Sequence, residues 1–132
     1  MEKTLVLIKP DAVKKNAIGN IIAMYEKNDL VVEDMYITVA DKAILDEHYA
    51  EHVEKGFYPE LAEFMSSGRI VVLKVAGEGA VAKVRAINGA TNPAEAEEGT
   101  IRKAFGTDIG ENAVHGSADA ADAERELKIW FK

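Results

Sequence analysis

The sequence contains no cysteine, only three prolines and a single tryptophan. The absence of cysteine excludes a disulfide framework and a thiol nucleophile. No apolar run approaches the length needed to cross a bilayer, and the N-terminus shows strand-like alternation in place of a basic and apolar signal sequence. We therefore expect a soluble cytoplasmic protein that does not associate with a membrane.

Positive charge is also scarce, because the formal net charge is −7 and only four of the basic residues are arginines. A general nucleic-acid surface requires a basic face, so this composition argues against one. A nucleotide is nevertheless a polyanion. Any phosphate site in this chain must therefore gather its few cations locally, and the available arginines are Arg69, Arg85, Arg102 and Arg125.

The remaining composition is that of one ordinary globular domain, residues 1–132, with 48% hydrophobic and 30% charged residues. Strand patterns occur at residues 3–8, 30–39 and 69–75, with a short fourth strand at His115. Apolar spacings of three and four predict helices within 18–25, 41–48, 59–64, 81–87 and 120–130, and a helical turn or two around Ile101 and Phe105. This order is that of a split βαββαβ unit. It predicts an α+β protein with a four-stranded antiparallel sheet and helices packed mainly on one face.

His115 lies at the predicted turn between the last strand and the last helix. Gly116 allows the backbone to bend there without a Cβ clash. Ser117 is placed to hydrogen-bond near the ring, and Glu126 follows in the third turn of the helix. A histidine oriented by a hydroxyl and a carboxylate is suited to act as a nucleophile or a base. On its own the pattern is weak, since a single histidine at a turn is more often a surface or capping residue.

Two other motifs have plainer interpretations. Residues 77–82 fit the G-x-G-x-x-A dinucleotide pattern, but the acidic residue expected about 20 positions later does not follow a strand, so we interpret them as a tight strand-to-helix turn. Residues 48–52 fit H-x-x-E-H, in which His48 and His52 would share a metal ion. We interpret this segment as a solvated charged face. No G-x-x-x-x-G-K-[ST] loop is present, so side-chain cations would have to bind phosphate.

The stretch Asn112-Ala-Val-His115-Gly-Ser117 resembles the N-x-x-H-G-S-D active-site segment of nucleoside diphosphate kinases. The resemblance extends in order and spacing from Lys3 to Trp130. It includes the segments Thr4–Val13, His48-Tyr49, Gly56–Leu61, Thr91–Pro93 and Gly99–Arg102. One departure is Ala118, which occupies the position of the usual aspartate, while Asp119 follows as a reasonable N-cap for the last helix.

This resemblance implies a ferredoxin-like fold and an enzyme that moves the γ-phosphate of a nucleoside triphosphate to a diphosphate by a ping-pong mechanism. It implies that His115 is the nucleophile, that Glu126 and Ser117 position its ring, and that Tyr49 lies beside it. Mg²⁺ would arrive with the nucleotide, because no dedicated protein cage is evident. Family members are homo-oligomers built from dimers.

The resemblance also implies the substrate contacts. Arg85, Thr91 and Arg102 would hold the β-phosphate, with His52 nearby. Lys9 and Asn112 would meet the sugar hydroxyls, and the base would lie on Phe57 between Leu61 and Ile109. The alternative is a catalytically silent member of the same fold that serves as a nucleotide sensor or a protein-interaction module. The set His115, Lys9, Tyr49, Arg85, Arg102, Asn112 and Glu126 argues against that alternative.

Overall fold

Four antiparallel strands form one sheet in the order β2-β3-β1-β4 in a computed structural model that describes residues 1–132. The central strands are β1 (Glu2–Ile8) and β3 (Ile70–Gly77), whereas β2 (Val31–Thr38) and the short β4 (Val114–Gly116) lie at the two edges. This strand order confirms the split βαββαβ topology and with it the predicted ferredoxin-like α+β fold.

Seven helices connect and cover the strands. Two of them begin at the aspartates that the sequence suggests as caps. Asp41 accepts a hydrogen bond from the amide of Ile44, and Asp119 accepts one from the amide of Asp122. These side chains satisfy amides that the first turn of a helix leaves without partners. The helices are α1 (Pro10–Lys14), α2 (Ile18–Glu26), α3 (Lys42–His48), α4 (Tyr58–Met65), α5 (Ala80–Asn88), α6 (Ile101–Phe105) and α7 (Ala120–Trp130).

The helices cover both faces of the sheet, which corrects the expectation that they pack mainly on one. Val6 and Ile8 of β1 point into a core formed with α1, α2, α5 and α6. Leu5 and Leu7 point into a second core formed with α3, α4 and α7. The physical reason is visible in β1 itself, since residues 5–8 are all apolar. Successive side chains of a strand face opposite sides, so such a strand requires cover on both.

The edge strand β2 is less completely covered. Met35, Ile37 and the neighbouring Val39 are 42%, 51% and 56% exposed. Strand β3 pairs with one side of β2, and the other side carries backbone groups with no strand partner. The exposed side chains of these three residues therefore mark an edge of the sheet that the rest of the chain does not cover.

No helix in the structure combines the length and the apolar character needed to cross a membrane.

The glycine pair at the end of β3 forms a tight turn, as predicted. Gly79 adopts a left-handed conformation, with φ of 62°, immediately before α5. The amide of Val81 in the first turn donates to the carboxylate of Glu2 at 2.8 Å. The chain's own carboxylate thus occupies this helix N-terminus, where a dinucleotide would need its pyrophosphate.

Two glycines give a matched test of this packing. A Cβ at Gly77 would lie 2.7 Å from Cδ2 of Leu30 and 3.3 Å from the carbonyl oxygen of Asp29. Gly77→Ala should therefore lower the free energy of unfolding by about 1–3 kcal/mol through overpacking. In α2, Gly19 has open space around the same position, so Gly19→Ala should raise that free energy by about 0.5–1 kcal/mol. Urea denaturation of both variants measures the difference. Equal stability of the two would contradict the described packing at Gly77.

Candidate active site

His115 lies on β4 opposite Leu7, whose side chain faces the core under α3 and α7. The ring of His115 therefore points towards these two helices. Its Nε2 lies 2.9 Å from Oε1 of Glu126 in α7, and the hydroxyl of Ser117 donates to the same oxygen at 2.7 Å. Ser117 is buried and its oxygen also accepts from the amide of Leu5. The strand, the helix and the serine together fix one orientation of the ring.

This contact also decides which ring nitrogen carries the proton. Burial raises the pKa of Glu126, but hydrogen bonds from His115 and Ser117 outweigh this effect and hold that pKa below its ordinary value. Glu126 is therefore an ionised acceptor at neutral pH, and Nε2 of His115 must donate to it. A neutral imidazole has one donor and one acceptor nitrogen. Nδ1 of His115 is consequently left with a free lone pair.

Tyr49 follows α3 as its C-terminal cap, and its ring lies beside the rings of His48 and His52. Burial raises the pKa of its hydroxyl, and the negative charge of Glu126 raises it further. The hydroxyl therefore stays protonated at neutral pH and is available as a hydrogen-bond donor.

A lysine and two polar residues form a connected group on one wall of the site. Nζ of Lys9 donates to Oδ1 of Asn112 at 2.9 Å, and Nδ2 of Asn112 donates to the carbonyl oxygen of Thr91 at 3.0 Å. Burial lowers the pKa of Lys9 to about 8, the positive charge of Arg102 lowers it too, and Asp11 partly opposes both. Lys9 is thus a buried cation that loses its proton more readily than an ordinary lysine.

Two arginines extend this wall, and each is anchored by backbone carbonyl groups. Arg102 donates to the carbonyl oxygens of Gly89 and Val114 at 2.8 and 2.9 Å. Arg85 donates to the carbonyl oxygen of Ala118 at 3.0 Å. Nε of Arg102 is buried without a hydrogen-bond partner, and burial, with repulsion from Arg85, lowers the pKa of this side chain. No carboxylate pairs with either arginine, so their positive charge is available to an anionic ligand.

These elements enclose a cavity of about 330 Å³. Nine of the predicted site residues line it: Lys9, Tyr49, His52, Arg85, Thr91, Arg102, Asn112, His115 and Glu126. Ser117 lies behind this wall, bonded to Glu126.

Three predicted base-contacting residues do not line the cavity. Phe57 is 52% exposed, with its ring 5.6 Å from that of His52. Ile109 is 65% exposed on the loop before Asn112. Leu61 packs against the core beneath α3 and α4. The structure therefore brings the phosphate-binding and histidine parts of the prediction together, but not the proposed base slot.

The interpretation of residues 48–52 as a solvated charged face is wrong for His48. This side chain is only 3% exposed, and its Nδ1 accepts a hydrogen bond from Nε1 of Trp130 at 3.0 Å. Helix α3 ends at His48, so His52 does not continue the same helical face; its Nδ1 lies near Lys55 instead. The sequence signal was the spacing of His48 from Ile44 and Leu45, which places it on the apolar stripe of α3.

Arg125 is a second residue that the sequence analysis did not assign. It lines the cavity and donates to the carbonyl oxygens of Glu47 and His48. Its guanidinium also lies 3.7 Å from Glu126. Arg125 therefore ties the end of α3 to α7, the two helices that flank His115. Its position one residue before Glu126 was the only sequence signal.

The site combines a histidine that has one free ring nitrogen with nearby cations that are hydrogen-bonded to neutral acceptors. This combination defines a phosphotransferase site rather than a nucleic-acid or metal site. Comparison with known proteins specifies the class. A model of the family described as "Nucleoside diphosphate kinase" matches residues 2–132. The chain is 48% identical to the nucleoside diphosphate kinase of Bdellovibrio bacteriovorus over 132 residues, which cover 100% of this chain and 94% of that protein.

Other relatives agree. The Thermus thermophilus nucleoside diphosphate kinase is 42% identical, with 100% of this chain and 96% of that protein covered. The solved structure of the Aquifex aeolicus nucleoside diphosphate kinase superposes with a TM-score of 0.96 at 36% identity, covering 99% of this chain and 95% of that one. The chain belongs to the nucleoside diphosphate kinase family. It is an enzyme that transfers phosphate between nucleotides.

The lowered pKa of Lys9 predicts a particular pH dependence. Above about pH 8 the free enzyme loses the proton of Lys9 and with it a cation of the site. The value of kcat/KM, which reports on the free enzyme, should therefore fall about tenfold for each pH unit above that point. Arginine remains charged throughout this range, so Lys9→Arg should move the alkaline decline to higher pH, whatever its activity at neutral pH.

The measurement is a profile of kcat/KM for ATP between pH 6 and 10. Lys27→Arg, on an exposed position at the end of α2, is the control and should leave the profile unchanged. An alkaline decline that stays in place in Lys9→Arg would assign it to another group.

Proposed function

We propose that His115 carries the phosphate between the two nucleotides as a phosphohistidine. The observation behind this proposal is the hydrogen bond from Nε2 of His115 to Glu126, because it leaves Nδ1 with a lone pair beside a cavity walled by cations. An oriented nitrogen nucleophile next to preorganised positive charge is what attack on a phosphoryl group requires.

In the first half-reaction, Nδ1 of His115 bonds to the γ-phosphorus while the bond from that phosphorus to the β,γ-bridging oxygen breaks. The nucleoside diphosphate leaves with the bonding electron pair. In the second half-reaction, a β-phosphate oxygen of another diphosphate attacks the phosphohistidine, and the electron pair of the P–N bond returns to Nδ1. Glu126 balances the positive charge that the phosphorylated ring gains. Transfer of this kind has a loose transition state, so positioning and charge neutralisation are the main tasks of the protein.

The cation wall supports the assignment of the phosphate contacts. Arg85 and Arg102 would bind the β-phosphate together with Thr91, and His52 lies nearby at the rim. Lys9 and Asn112, already joined by a hydrogen bond, would meet the sugar hydroxyls. Each of these cations is bonded only to neutral groups, so binding a phosphate breaks no internal ion pair.

The base would lie outside the cavity on Phe57, with Leu61 and Ile109 beside it. The exposure of Phe57 and Ile109 fits a surface that a flat ring covers when it binds. Stacking on an aromatic face is available to every base and contributes on the order of 1–3 kcal/mol. No polar side chain in this set is assigned to a base edge, so purines and pyrimidines should both serve as substrates.

Mg²⁺ would enter this site with the nucleotide. The group of ligand atoms that the chain brings together consists of two histidine nitrogens and one carboxylate oxygen, from His48, His115 and Glu126. Mg²⁺ prefers an octahedron of oxygens, so this set fits it poorly and phosphate oxygens and water fit it better. Bound in that way, the ion would neutralise part of the phosphate charge, while the protein residues hold the remainder.

We further infer that residues 1–132 act as one cytoplasmic domain and assemble into homo-oligomers built from dimers. The uncovered edge of β2 supports a dimer, because a second copy could cover the exposed Met35, Ile37 and Val39 and pair with the free backbone groups.

The nucleophile assignment predicts the outcome of one substitution. His115→Ala should reduce phosphate transfer to the background level and leave nucleotide binding nearly unchanged, because the ring forms the bond and the cations supply the affinity. Incubation with γ-labelled ATP should give the unsubstituted enzyme a covalent label that is acid-labile and base-stable. His52→Ala is the matched histidine control and should still take up label.

Substantial turnover by purified His115→Ala would contradict the nucleophile assignment. Nucleotide binding by the unsubstituted chain without any covalent label would favour the catalytically silent alternative.

The dimer assignment predicts a change in molecular mass. Ile37→Lys places a charge on the exposed face of β2 and should shift the protein to smaller species in light scattering at micromolar concentration. Val53→Lys introduces the same charge at another exposed aliphatic residue and should leave the mass unchanged. An unaltered mass for Ile37→Lys would place the contact between copies elsewhere.

A further inference from the structure

Building on the phosphohistidine proposed above, we propose that His48 is a further catalytic residue of this site. Its Nε2–H, fixed in that tautomer by Trp130, donates a hydrogen bond to an oxygen of the phosphoryl group as that group moves to or from His115.

The tautomer of His48 follows from the chemistry of its partner. An indole nitrogen is a donor and never an acceptor. Nε1 of Trp130 lies 3.0 Å from Nδ1 of His48, so Nδ1 must accept and cannot carry a proton. Both side chains are almost fully buried, at 3% and 4% exposure. The single proton of the neutral ring is therefore on Nε2.

The ring also remains neutral under ordinary conditions. Burial lowers the pKa of His48 to about 3, and repulsion from His115 acts in the same direction, while Glu126 opposes them. A second proton would have to displace the hydrogen bond from Trp130. His48 thus presents one fixed N–H and no additional positive charge.

The ring of His48 lies beside the ring of His115. The ring of His48 meets that of His115 edge to face, with ring centroids 4.7 Å apart. One ring nitrogen of each histidine and an oxygen of Glu126 lie within 4.8 Å of one another. His48 lines the cavity, and its Nδ1 is turned to the buried indole, so Nε2 is the nitrogen that remains for the cavity.

No group of the protein accepts a hydrogen bond from Nε2, since the only side-chain hydrogen bond of His48 is the one to Trp130. Nε2 is not one of the buried side-chain atoms that lack a partner, so this donor is open to the cavity that His48 lines. An oxygen that arrives with the substrate would satisfy it. The phosphoryl group is the part of the substrate that must come within bonding distance of His115, and it carries three such oxygens.

The same tautomer argues against a metal ion at the three clustered groups. With Nδ1 occupied by the indole and Nε2 protonated, His48 has no free lone pair to offer a metal. The cluster is therefore better explained as two oriented rings with different tasks. His115 presents a lone pair to phosphorus, and His48 presents a proton to oxygen.

The effect expected is on the rate of transfer rather than on nucleotide affinity. In the loose transition state the negative charge spreads over the phosphoryl oxygens, and a preorganised donor stabilises it there. Loss of one such donor typically slows the chemical step on the order of 100-fold. Nucleotide affinity should change little, because the charged residues Arg85, Arg102 and Lys9 remain.

The experiment compares His48→Leu with His48→Gln. Rapid mixing with γ-labelled ATP and Mg²⁺ gives the rate of phosphohistidine formation in one turnover, and equilibrium titration with ADP gives the dissociation constant. His48→Leu should lose about 100-fold in rate with an unchanged dissociation constant. Glutamine retains an N–H donor on a similar stem, so His48→Gln should recover at least part of that loss.

Trp130 provides a test that keeps His48 in place. In Trp130→Phe the ring is no longer held in one tautomer, and the rate should fall about 2- to 10-fold because the productive tautomer is only partly populated. Phenylalanine keeps an aromatic ring in the core and removes the indole N–H, which acts through His48, so in the His48→Leu background Trp130→Phe should cause no further loss of rate. A long-range ¹H–¹⁵N spectrum of the unsubstituted protein should show a protonated Nε2 and an unprotonated Nδ1 for His48.

Several results would overturn the proposal. They are an unchanged rate in His48→Leu, an equal loss in the leucine and glutamine variants, a rise in the dissociation constant that accounts for the loss, or a proton on Nδ1 of His48. The same holds for an equal effect of Trp130→Phe with and without His48.

If the unsubstituted enzyme formed no phosphohistidine, the proposed function would fail as well. If it formed one at a rate independent of His48, only the present proposal would fail. Should the leucine variant not fold, the tautomer spectrum and the rate of Trp130→Phe alone still decide, since a proton on Nδ1 of His48 or an unchanged rate in Trp130→Phe would overturn the proposal.

Discussion

The hydrogen bond between His115 and Glu126 is the interaction on which the site depends, and its two partners come from different layers of the fold. His115 lies on an edge strand of only three residues, and Glu126 lies on the final helix. Their distance of 2.9 Å therefore depends on the position of α7 relative to the sheet. Two contacts fix that position: Trp130 packs in the second core, and the hydroxyl of Tyr36 donates to the carbonyl oxygen of Trp130 at 2.6 Å. Ordinary core packing thus determines which nitrogen of His115 is free.

The electrostatics of the site depend on how the fold holds its cations. In a chain with a net charge of −7, three cations of the cavity, Lys9, Arg85 and Arg102, are held by amide and carbonyl oxygens. Neutral acceptors orient these side chains and leave their charge uncompensated. Burial then lowers the pKa of Lys9 and of Arg102, which shows that their charge is unfavourable before a ligand arrives. Binding an anion compensates these charges and removes that unfavourable free energy. Part of the affinity for phosphate therefore comes from the arrangement of the ligand-free site.

The sequence predicted the fold well where local signals decide it. The alternation of apolar residues, the aspartates that begin α3 and α7, and the glycines around α5 are all local features, and each is confirmed. The two-sided cover of the sheet does not follow from the order of the elements, and its only signal in the sequence is the fully apolar run of residues 5–8, which places apolar side chains on both faces. His48 was missed for a related reason. Its chemistry depends on Trp130, which is 82 residues away along the chain, and no local pattern shows that contact.

The site was predicted chiefly by resemblance, and the physical reason is again distance along the chain. Lys9 and Asn112 are 103 residues apart, yet they share a hydrogen bond at the end of β1. Spacing cannot show such a pair. The proposed base slot, on exposed side chains, is also the part that packing within the chain leaves undetermined.

The anchoring of the arginines has a consequence for how the enzyme responds to its ionic environment. Dissolved salt screens charges at the surface over about 8 Å at physiological ionic strength, but it screens covered charges much less. Arg102 is partly covered, with a buried Nε, and Lys9 is only 9% exposed. Their attraction to a bound phosphate should therefore persist in concentrated salt. A protein whose outer surface repels anions can in this way still hold nucleotides firmly once they have entered the site.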